Sequence, residues 1–409
     1  MKKRKCRFCN AELRHSFADL GMSPLSNSYL KEEQLHTMEP FFPLHAYVCD
    51  ACYLVQLEEF QTPSDIFSDY AYFSSYSDAW LAHARNYAEH IVSDFDIGGS
   101  SLVVELASND GYLLKYFAER DIPVLGIEPA ANVAEVAVAK GVPTLVKFFG
   151  EETAKALAGE GRRADLVIGN NVLAHVPDIN DFVLGMKTLL KEDGMITMEF
   201  PHLLKLMDEN QFDTIYHEHF SYLSLTTVEE IFSSHGLMIF DVRELPTHGG
   251  SLRIYACHQE REKQVSAKVM SLREKEMKAG LREIGAYTRF AGQVRETKRK
   301  LLSFLIGEKN KGKVIVGYGA PAKGNTLLNY CGIRTDFLEY TVDASPHKQG
   351  LYLPGTHIPV HAPQKIFETR PDYVLILPWN IKDEIMKQME EIRTWGGRFI
   401  TPIPEVQVH

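Results

Sequence analysis

The segment from Ser101 to Phe200 alternates between short apolar runs and longer amphipathic runs. The apolar runs have the length of β-strands, and the amphipathic runs have the length and spacing of helices. This alternation predicts an α/β domain with a parallel sheet and helices on both of its faces. The predicted strands are residues 102–106, 124–128, 165–169 and 195–200, and the predicted helices are residues 111–120, 132–140, 150–159 and 179–191.

The pattern changes in the middle of the chain. Residues 220–257 are typical of antiparallel additions to the sheet, with strands expected at residues 238–245 and 251–258. Residues 259–311 are charged and contain neither proline nor a strand pattern. They predict one or two long helices that connect two bodies.

A second α/β unit follows this connection. Residues 313–320 form its first expected strand and turn, and a helix is expected to run from there through Asn329. Further strands are predicted near residues 337–343 and 372–379. The C-terminal part of the chain is therefore predicted to be a second Rossmann-like α/β domain.

The N-terminal part differs from both. Residues 1–65 show little regular periodicity, residues 67–73 form an aromatic stretch, and a helical pattern runs from Asp78 to Ser93. The segment Met1–Lys5 is basic, but no apolar region follows it, which argues against a signal peptide. We therefore expect a cytoplasmic protein.

Composition narrows the function classes. A chain of 409 residues is long for one hydrophobic core, which favours two or three domains. The formal net charge of −10 argues against a broad nucleic-acid-binding face, although a local basic pocket for a phosphate stays open. No apolar run approaches the roughly 18 residues of a membrane span, so no membrane partner is expected.

Four of the six cysteines form two CxxC pairs, Cys6/Cys9 and Cys49/Cys52, which are separated by 39 residues. Each pair can form a tight turn that offers two thiolates, and two such turns complete a tetrahedral zinc shell. Two unrelated pairs of free thiols are the alternative. A redox pair would need one CxxC opening a helix in a thioredoxin-like unit, and that context is missing. Because four thiolates leave no position for water, the zinc is expected to be structural.

The first strand of the predicted sheet ends near Glu105, and a turn of small and polar residues separates it from a helix. Such a turn lets a ligand approach backbone amides at the top of a sheet. It is neither a GxGxxG motif nor a Walker motif with its lysine, which argues against nucleoside triphosphates. The candidate cofactor-binding residues in this turn are Ala107, Ser108, Asn109 and Gly111.

Two further landmarks follow in order. Glu128 ends the second strand, about 20 residues after the turn, where an acidic side chain can accept both ribose hydroxyls. Asn170 and Asn171 lie at the carboxyl end of another predicted strand. Together with Glu105, these positions suit the amino acid and ribose parts of S-adenosylmethionine, which predicts a methyltransferase-like Rossmann domain.

Several stretches, together with the cysteine pairs, resemble one known family. They are VVELASNDGYLL (103–114), NNVLAHVPD (170–178), YHEHFSYLS (216–224), HGGSLR (248–253) and GYGAPAKGNTLLNY (317–330). The family is that of the sugar C-methyltransferases, which act on nucleotide-activated 3-keto-deoxysugars, and the resemblance spans essentially the whole chain. It implies an N-terminal zinc-binding domain, a central domain for S-adenosylmethionine and a C-terminal Rossmann-like domain that helps to hold the sugar nucleotide. The corresponding boundaries are 1–66, 67–258, a helical connection at 259–311, and 312–409.

Methylation of a carbon next to a ketone needs a base for the α-proton and stabilisation of the enolate oxygen. The sequence concentrates suitable groups in Tyr216, His217, Glu218 and His219. In an extended segment His217 and His219 would share one face, whereas a turn would bring Tyr216 and His219 together. The resemblance implies that Tyr216 and His219 are the acid/base pair and that Glu218 polarises or orients a neighbour.

The resemblance also implies catalytic roles near the sugar for His175 and Tyr70. Without it, His175 would be taken for a capping or surface histidine, and Tyr70 for part of an aromatic core. The HEH sequence, residues 217–219, would be a metal site or a solvated loop, but it lacks the i, i+4 spacing of zinc proteases and has no obvious third ligand.

A second anion site is expected in the C-terminal unit. Gly317–Ala320 has the form of a strand–turn–helix site, and Lys323 lies in the first turn of the helix, which suits a pyrophosphate. A plain tight turn with a surface lysine, or a second cofactor with Asp343 as its ribose acceptor, are the alternatives. The residues assigned to substrate binding are His217, His248, Tyr318 and Lys323.

These observations predict an S-adenosylmethionine-dependent C-methyltransferase that methylates a nucleotide-linked keto-deoxysugar at C-3 through an enolate. An O- or N-methyltransferase of a small molecule would share the cofactor domain but would not need the enolising cluster. A zinc-ribbon protein that binds nucleic acid would need basic and aromatic residues interleaved on one face, and the acidic balance argues against it.

Overall fold

The computed structural model describes residues 4–62 and 74–409. They form two compact units, and each unit gathers three separate segments of the chain. Unit 1 is drawn from Met1–Leu13, Cys49–His202 and Phe220–Arg282, and unit 2 from Arg14–Val48, Leu203–His219 and Glu283–His409. The predicted domain boundaries follow chain order, whereas the compact units follow proximity in space, so those boundaries stay a proposal.

The strands and helices alternate through most of the chain, as the hydrophobic pattern predicts. The strands are β1 (His15–Ser23), β2 (Phe42–Val48), β3 (Val55–Leu57), β4 (Val103–Leu106), β5 (Val124–Ile127), β6 (Thr144–Leu145), β7 (Ala164–Asn170), β8 (Leu190–Pro201), β9 (Ser221–Tyr222), β10 (Leu237–Leu245), β11 (Ser251–His258), β12 (Ile315–Tyr318), β13 (Thr341–Val342), β14 (Val360–His361), β15 (Tyr373–Ile376), β16 (Arg398–Thr401) and β17 (Gln407–Val408). The α-helices are α1 (Asp78–Asp94), α2 (Lys115–Ala118), α3 (Ala131–Ala139), α4 (Glu151–Gly159), α5 (Ile179–Leu189), α6 (Leu203–Asp208), α7 (Leu225–Ser234), α8 (Ala267–Lys278), α9 (Ile284–Asn310), α10 (Ala322–Cys331), α11 (Gln364–Thr369) and α12 (Lys382–Gln388).

Unit 1 contains a mixed sheet of seven strands in the order β10-β11-β8-β7-β4-β5-β6. Strands β4 to β8 run parallel, whereas β11 pairs antiparallel with both β8 and β10. The α/β prediction with antiparallel additions is therefore confirmed. The segment 220–257 also contains the helix α7, which the sequence pattern did not indicate.

Local sequence explains where the helices of unit 1 begin. The side chain of Ser77 accepts a hydrogen bond from the amide of Trp80 at the start of α1. Asp178 and Ser224 cap α5 and α7 in the same way. Each cap satisfies a backbone donor that has no partner within the helix. The helix predicted at 111–120 is shorter than expected, since tight turns occupy its first residues and only α2 remains.

One apolar core cluster of unit 1 lies between the sheet and α1. Tyr87 and Ile91 of α1 pack with Val103 of β4, Leu166 of β7 and Phe117 in one buried apolar cluster. All four residues of β4 are buried, which is typical of a central strand covered on both faces. The polar side chain of Glu105 at the end of this strand is therefore an exception in an apolar environment.

Unit 2 contains a six-stranded sheet in the order β14-β13-β12-β15-β16-β17. Its strands are parallel except β17, which pairs antiparallel with β16. One or two helices were predicted at 259–311, and the structure has two, α8 in unit 1 and the long α9 in unit 2. Within residues 4–62 and 74–409, no helix is both long and apolar enough to cross a membrane.

Unit 2 also contains a hairpin that the sequence pattern did not indicate. Strands β1 and β2 pair antiparallel, with register shifts between Ser16 and Ala18 and between Asp19 and Met22. These bulges break the strict alternation of polar and apolar residues that identifies a strand. Most of the stretch between the two cysteine pairs folds into this hairpin and the loop within it.

Candidate active site and zinc centre

The four paired cysteines lie together in unit 1. The Sγ atoms of Cys6, Cys9, Cys49 and Cys52 are all within 4.8 Å of one another. The Cys6–Cys52 and Cys9–Cys49 sulfur distances are both 3.5 Å. A tetrahedral zinc ion with Zn–S bonds of about 2.3 Å holds its sulfurs roughly 3.8 Å apart, so the cluster fits this metal.

Both cysteine pairs have the same backbone geometry. The amide of Asn10 donates to the carbonyl of Cys6, and the amide of Tyr53 donates to the carbonyl of Cys49, each at 3.0 Å. Asn10 and Tyr53 both have positive φ angles. Hydrogen bonds from the Cys49 and Cys52 thiols lower the pKa of Cys6 to about 2, so the cluster favours a thiolate.

A half-buried arginine connects the first cysteine pair to the loop of His175. The side chain of Arg7 donates hydrogen bonds to the carbonyls of Pro177, at 2.6 Å, and Leu57, at 2.5 Å. The backbone amide of Arg7 donates to Gln56 at 2.8 Å, and Gln56 in turn donates to the sulfur of Cys6. The zinc centre therefore supports the loop that follows β7.

The second feature of unit 1 is the turn between β4 and α2, residues 107–111, where the sequence predicts binding of the methyl donor. It is called the donor turn below. Ala107 and Asn109 have φ angles of 53° and 50°, in the left-handed region that non-glycine residues rarely adopt. Such backbone strain is typical of ligand sites. Gly126 on the neighbouring strand has no room for a side chain, because the Ser108 side chain lies against it. Gly111 has a positive φ and faces Val142 closely.

Glu128 is fixed against the donor turn. Its carboxylate accepts hydrogen bonds from the amides of Asn109 and Ala130, each at 2.9 Å. Burial raises the pKa of Glu128. The carboxylate is thus oriented by the backbone while each oxygen keeps a lone pair for a further donor.

Several buried oxygen atoms around the donor turn lack a hydrogen-bond partner in the described chain. They are Oε2 of Glu105, Oγ of Ser108, Oδ1 of Asp110 and Oδ1 of Asn171. Burial raises the pKa of Glu105 well above its usual range. Unsatisfied buried acceptors are costly, and a ligand with ammonium, hydroxyl and amino groups would satisfy them. The residues present therefore fit S-adenosylmethionine.

The two asparagines lie where the strand pattern places them. Asn170 ends β7, and its side chain donates to the hydroxyl of Tyr112 at 3.4 Å. Asn171 has a φ of 55°, and its amide donates to the carbonyl of Glu199 on β8 at 2.7 Å. Both asparagines thus occupy the carboxyl edge of the sheet, where ligands of α/β proteins bind.

Sequence reasoning missed a buried ionic network at the same edge. Glu199 accepts hydrogen bonds from Thr247 at 2.8 Å and from Arg253, and lies 2.9 Å from Nε2 of His83. Burial alone would raise the pKa of Glu199, but His83 and Arg253 lower it to about 2. The ring of Trp80 stacks on His83 at 4.9 Å. The sequence did contain one signal for this network, since Glu199 is an acidic residue near the carboxyl end of the predicted strand 195–200.

The Tyr-His turn, residues 214–219 in unit 2, brings two predicted catalytic residues together. The amide of His219 donates to the carbonyl of Tyr216 at 2.9 Å, which closes a turn. The hydroxyl of Tyr216 lies 2.8 Å from Nε2 of His219, and Nδ1 of His219 lies 2.9 Å from the carbonyl of Thr214. Because a carbonyl only accepts, Nδ1 carries a proton, and Nε2 of the neutral ring accepts from Tyr216.

The two residues inside this turn are buried. His217 donates from Nε2 to the carbonyl of Pro43 at 3.2 Å, and burial lowers its pKa. Glu218 accepts a hydrogen bond from Asn27 at 2.6 Å, and burial raises its pKa. The geometry is that of the turn and not of the extended segment in which His217 and His219 would share a face.

The turn Gly317–Ala320 in the C-terminal sheet, which was expected to bind an anion, binds a carboxylate of the protein itself. The carboxylate of Asp343 accepts from the amide of Ala320 at 2.7 Å and from the amide of Ser345 at 2.8 Å. Gly319 has no room for a side chain, because Pro378 packs against it. Asp343, the candidate ribose acceptor of a second cofactor, is thus used to hold the turn closed.

Two residues assigned to substrate binding lie near this turn. Lys323 donates to Asn380 at 2.7 Å, and its ammonium lies 4.4 Å from the ring centre of Trp379. Burial lowers the pKa of Lys323 to about 8. Tyr318 is buried and donates its hydroxyl to Gln388 at 2.9 Å. Of the two, Lys323 keeps a partly exposed side chain.

The remaining predicted residues lie in unit 1. His175 ends a short 3-10 helix, Leu173–His175, directly after β7. His248 has a φ of 56° between β10 and β11, and its ring meets Trp80 edge-on at 5.3 Å. Tyr70 lies outside the described residues.

Three family models match successive parts of the chain. Residues 6–67 match a zinc binding domain, residues 80–242 match a methyltransferase domain, and residues 246–404 match a C-methyltransferase C-terminal domain. The C-methyltransferase NovU of Streptomyces niveus is 36% identical over 404 residues, which cover 99% of this chain and 96% of that protein. The chain belongs to this C-methyltransferase family. It is an S-adenosylmethionine-dependent C-methyltransferase with an N-terminal zinc-binding domain.

More distant matches cover only part of the chain. The ubiquinone biosynthesis O-methyltransferase of Bartonella tribocorum is 26% identical over 95 residues, which cover 23% of this chain and 38% of that protein. The crystal structure of magnesium protoporphyrin IX methyltransferase from Synechocystis PCC 6803, with bound S-adenosylmethionine, is 17% identical. It covers 44% of this chain and 79% of that chain, with a TM-score of 0.34.

Proposed function

We propose that the acceptor is a nucleotide-linked keto-deoxysugar and that the methylated position is the carbon next to its ketone, C-3. The substrate class rests on the sequence resemblance described above. The reaction class supports it, since transfer of a methyl group to carbon needs a carbon nucleophile and the α-carbon of a ketone becomes one after deprotonation. The residues proposed to contact the sugar nucleotide are Tyr70, His175, His217, His248, Tyr318 and Lys323.

In this proposal the donor turn holds S-adenosylmethionine. Glu128 accepts from the ribose hydroxyls, and Glu105, whose buried oxygen lacks a partner, accepts from the ammonium group. Asn109 contributes to the backbone of this turn, and Asn170 and Asn171 line the next strand end. The bound donor supplies an electrophilic methyl group.

The single observation that carries the chemistry is the geometry of the Tyr-His turn. Tyr216, at 2.8 Å from His219, gives its hydroxyl proton to Nε2 while its oxygen takes the α-proton of the ketone. The carbonyl of Thr214 holds the proton on Nδ1, so that the lone pair of Nε2 accepts the proton from Tyr216. The electron pair of the broken C–H bond, held as the enolate, would then attack the methyl group of the bound donor. The S–CH3 bond would break, S-adenosylhomocysteine would leave, and the ketone would be restored.

Hydrogen exchange at the acceptor carbon tests this proposal directly. The wild-type protein, with S-adenosylhomocysteine bound, should exchange the α-hydrogen of a keto-deoxysugar nucleotide for solvent deuterium. With the methyl donor, the product should gain the mass of one CH2 group on carbon. Tyr216→Phe and His219→Asn should each lower turnover by about 10²–10⁴-fold, the usual contribution of general acid–base catalysis.

Tyr340→Phe is the matched control, because it removes another buried tyrosine hydroxyl of the same unit, which is bonded to Thr369. It should retain turnover, and all three variants should bind the donor with wild-type affinity in calorimetry. Near-full turnover of both Tyr216→Phe and His219→Asn would show that the turn is structural. A methyl ether product without carbon-bound exchange would contradict the enolate route.

A further inference from the structure

The sheet of unit 2 has a point where the strand order reverses. The chain runs from β12 to β13 and β14 on one side and then to β15 and β16 on the other. Open parallel sheets bind their ligands in the crevice at such a point, beyond the carboxyl ends of the strands. Helix α10 follows β12, and Trp379 follows β15, so both lie at this position.

Side chains from this position bind the segment that leads into the Tyr-His turn. The hydroxyl of Thr326, on α10, donates to the carbonyl of Ile215 at 3.1 Å. The indole N–H of Trp379 donates to the carboxylate of Asp213 at 2.7 Å. Thr326, Ile215 and Asp213 are each at most 1% exposed, so water does not replace these hydrogen bonds. The crevice that takes a ligand in other sheets holds this protein's own chain.

The two contacts fall on either side of one residue. Asp213 and Ile215 flank Thr214, whose carbonyl accepts from Nδ1 of His219. Holding the side chain of Asp213 on one side and the carbonyl of Ile215 on the other restricts the backbone dihedral angles between them. Because the backbone has only two soft dihedral angles per residue, this restricts the direction of the Thr214 carbonyl. The direction of that carbonyl in turn decides the orientation and tautomer of the imidazole.

We propose that Thr326 and Trp379 are positioning residues that align His219 with Tyr216 through the carbonyl of Thr214. The inference rests on the proposed function, in which this pair removes the α-proton. It gives the C-terminal α/β domain a part in proton transfer, in addition to any contact with the sugar nucleotide.

The two side chains are not equivalent as test positions. Burial raises the pKa of Asp213 to about 6, and the hydrogen bond from Trp379 opposes this shift, as does the charge of Lys323. Trp379→Phe therefore changes the titration of Asp213 as well as the position of the backbone. Thr326 touches the backbone carbonyl of Ile215 and no titratable group in this contact, so it gives the cleaner comparison.

The experiment compares Thr326→Val, which keeps the shape and removes the hydroxyl, with Thr326→Ser, which keeps the hydroxyl. Thr326→Val should lower kcat and the rate of α-hydrogen exchange by about two- to tenfold, the effect of one net hydrogen bond. The acid limb of its kcat–pH profile should move to lower pH, because a fixed carbonyl acceptor favours the doubly protonated ring. Thr326→Ser should restore both, and donor affinity should not change in either variant.

Trp379→Phe is an independent second variant, and it should also lower the rate of α-hydrogen exchange relative to the wild type. Wild-type exchange together with an unshifted pH profile and unchanged kcat in Thr326→Val would overturn the positioning role while leaving the proposed function intact. A lower melting temperature without a shifted profile would likewise show that the contact only stabilises the fold. Absence of carbon-bound exchange in the wild type would instead overturn the proposed function itself.

Discussion

The donor turn and the Tyr-His turn differ in how far along the chain their supports lie. Glu128 accepts from the amide of Asn109, 19 residues away, and from that of Ala130, two residues away. In the Tyr-His turn, Glu218 is held by a residue 191 positions away, and the Ile215 carbonyl by one 111 positions away. The first region is built largely by its own βα units, and the second by segments from both ends of the chain.

This difference has a physical consequence. Parallel strands with short connections bring their carboxyl ends to one edge, so the polar residues of the donor turn meet wherever the α/β pattern forms. No comparable rule determines which residues meet in a turn of irregular backbone such as the Tyr-His turn. Its geometry depends on whether distant side chains satisfy its buried carbonyls and carboxylates. The two regions should therefore respond differently to damage in their surroundings.

The zinc centre gives the largest expected effect. Cys49→Ser should lose the metal and lower the free energy of unfolding by several kcal/mol, because zinc binding and folding of such a module are coupled, with about 10–16 kcal/mol of apparent binding energy in isolated zinc modules. Metal analysis and thermal unfolding measure both. Hydrogen exchange should show lost protection around residues 54–57 and the Pro177 loop that Arg7 holds.

Cys257→Ser is the control for this variant, since Cys257 is a buried cysteine of unit 1 outside the cluster. It should keep the zinc. The comparison also predicts that the Tyr-His turn retains its protection after zinc loss, because the supports described here all lie within unit 2. Equal loss of protection around the zinc centre and in the Tyr-His turn would show that the two regions unfold as one cooperative element.

The second effect concerns the buried ion pair of Glu199 and Arg253. Glu199→Gln should lower the free energy of unfolding by about 3–5 kcal/mol, since it leaves a buried guanidinium without its charge partner. The pKa of Glu199 in the folded protein, about 2, is below its usual 4.5. The carboxylate therefore stabilises the fold above about pH 4.5, and this contribution, about 3 kcal/mol, is lost as the pH falls toward 2.

Denaturant unfolding at pH 7 and at pH 3 measures this contribution. The variant should have a lower free energy of unfolding than the wild type at pH 7. This difference in free energy should become smaller at pH 3. Glu244→Gln serves as the control, because Glu244 forms an exposed ion pair with Lys275 and such pairs contribute at most about 1 kcal/mol. A gap that stays constant with pH would contradict the assigned ionisation.

The contrast between local and long-range supports also explains which parts of the structure could be predicted from the sequence. Glu105, Glu128, Asn170 and Asn171 were predicted from strand ends alone, and the structure places them at one edge of the sheet. Glu199 obeys the same rule at the end of β8 and could have been found by it. Strand β1 of the hairpin would have to be recognised by a different rule, the alternation of polar and apolar residues, and its register shifts break that alternation.

The Tyr-His turn marks the limit of sequence reasoning. The residues alone left an extended segment and a turn as alternatives, and the choice depends on contacts with Asn27, Pro43, Thr326 and Trp379. None of these positions carries a local signal that connects it to the turn. Resemblance to the family supplied the pairing of Tyr216 with His219, and the roles of both residues stay a proposal.

The smallest expected effect distinguishes the two regions most directly. Glu128→Ala should weaken S-adenosylmethionine binding by about 1–3 kcal/mol, because it leaves the ribose hydroxyls and the amides of Asn109 and Ala130 without an acceptor. Titration calorimetry gives this value, with the exposed Glu135→Ala on α3 as the control that should bind normally. Since burial raises the pKa of Glu128, donor affinity of the wild type should also fall as the pH is lowered, and this dependence should weaken in the variant.

Exchange of the acceptor's α-hydrogen in the Glu128→Ala variant should continue at the wild-type rate once S-adenosylhomocysteine is saturating, because proton removal is assigned to the Tyr-His turn. Unchanged donor affinity would remove Glu128 from the site. A matching loss of exchange at saturating ligand would show that the donor turn helps to position the proton-transfer pair, and that the local and the long-range supports are coupled.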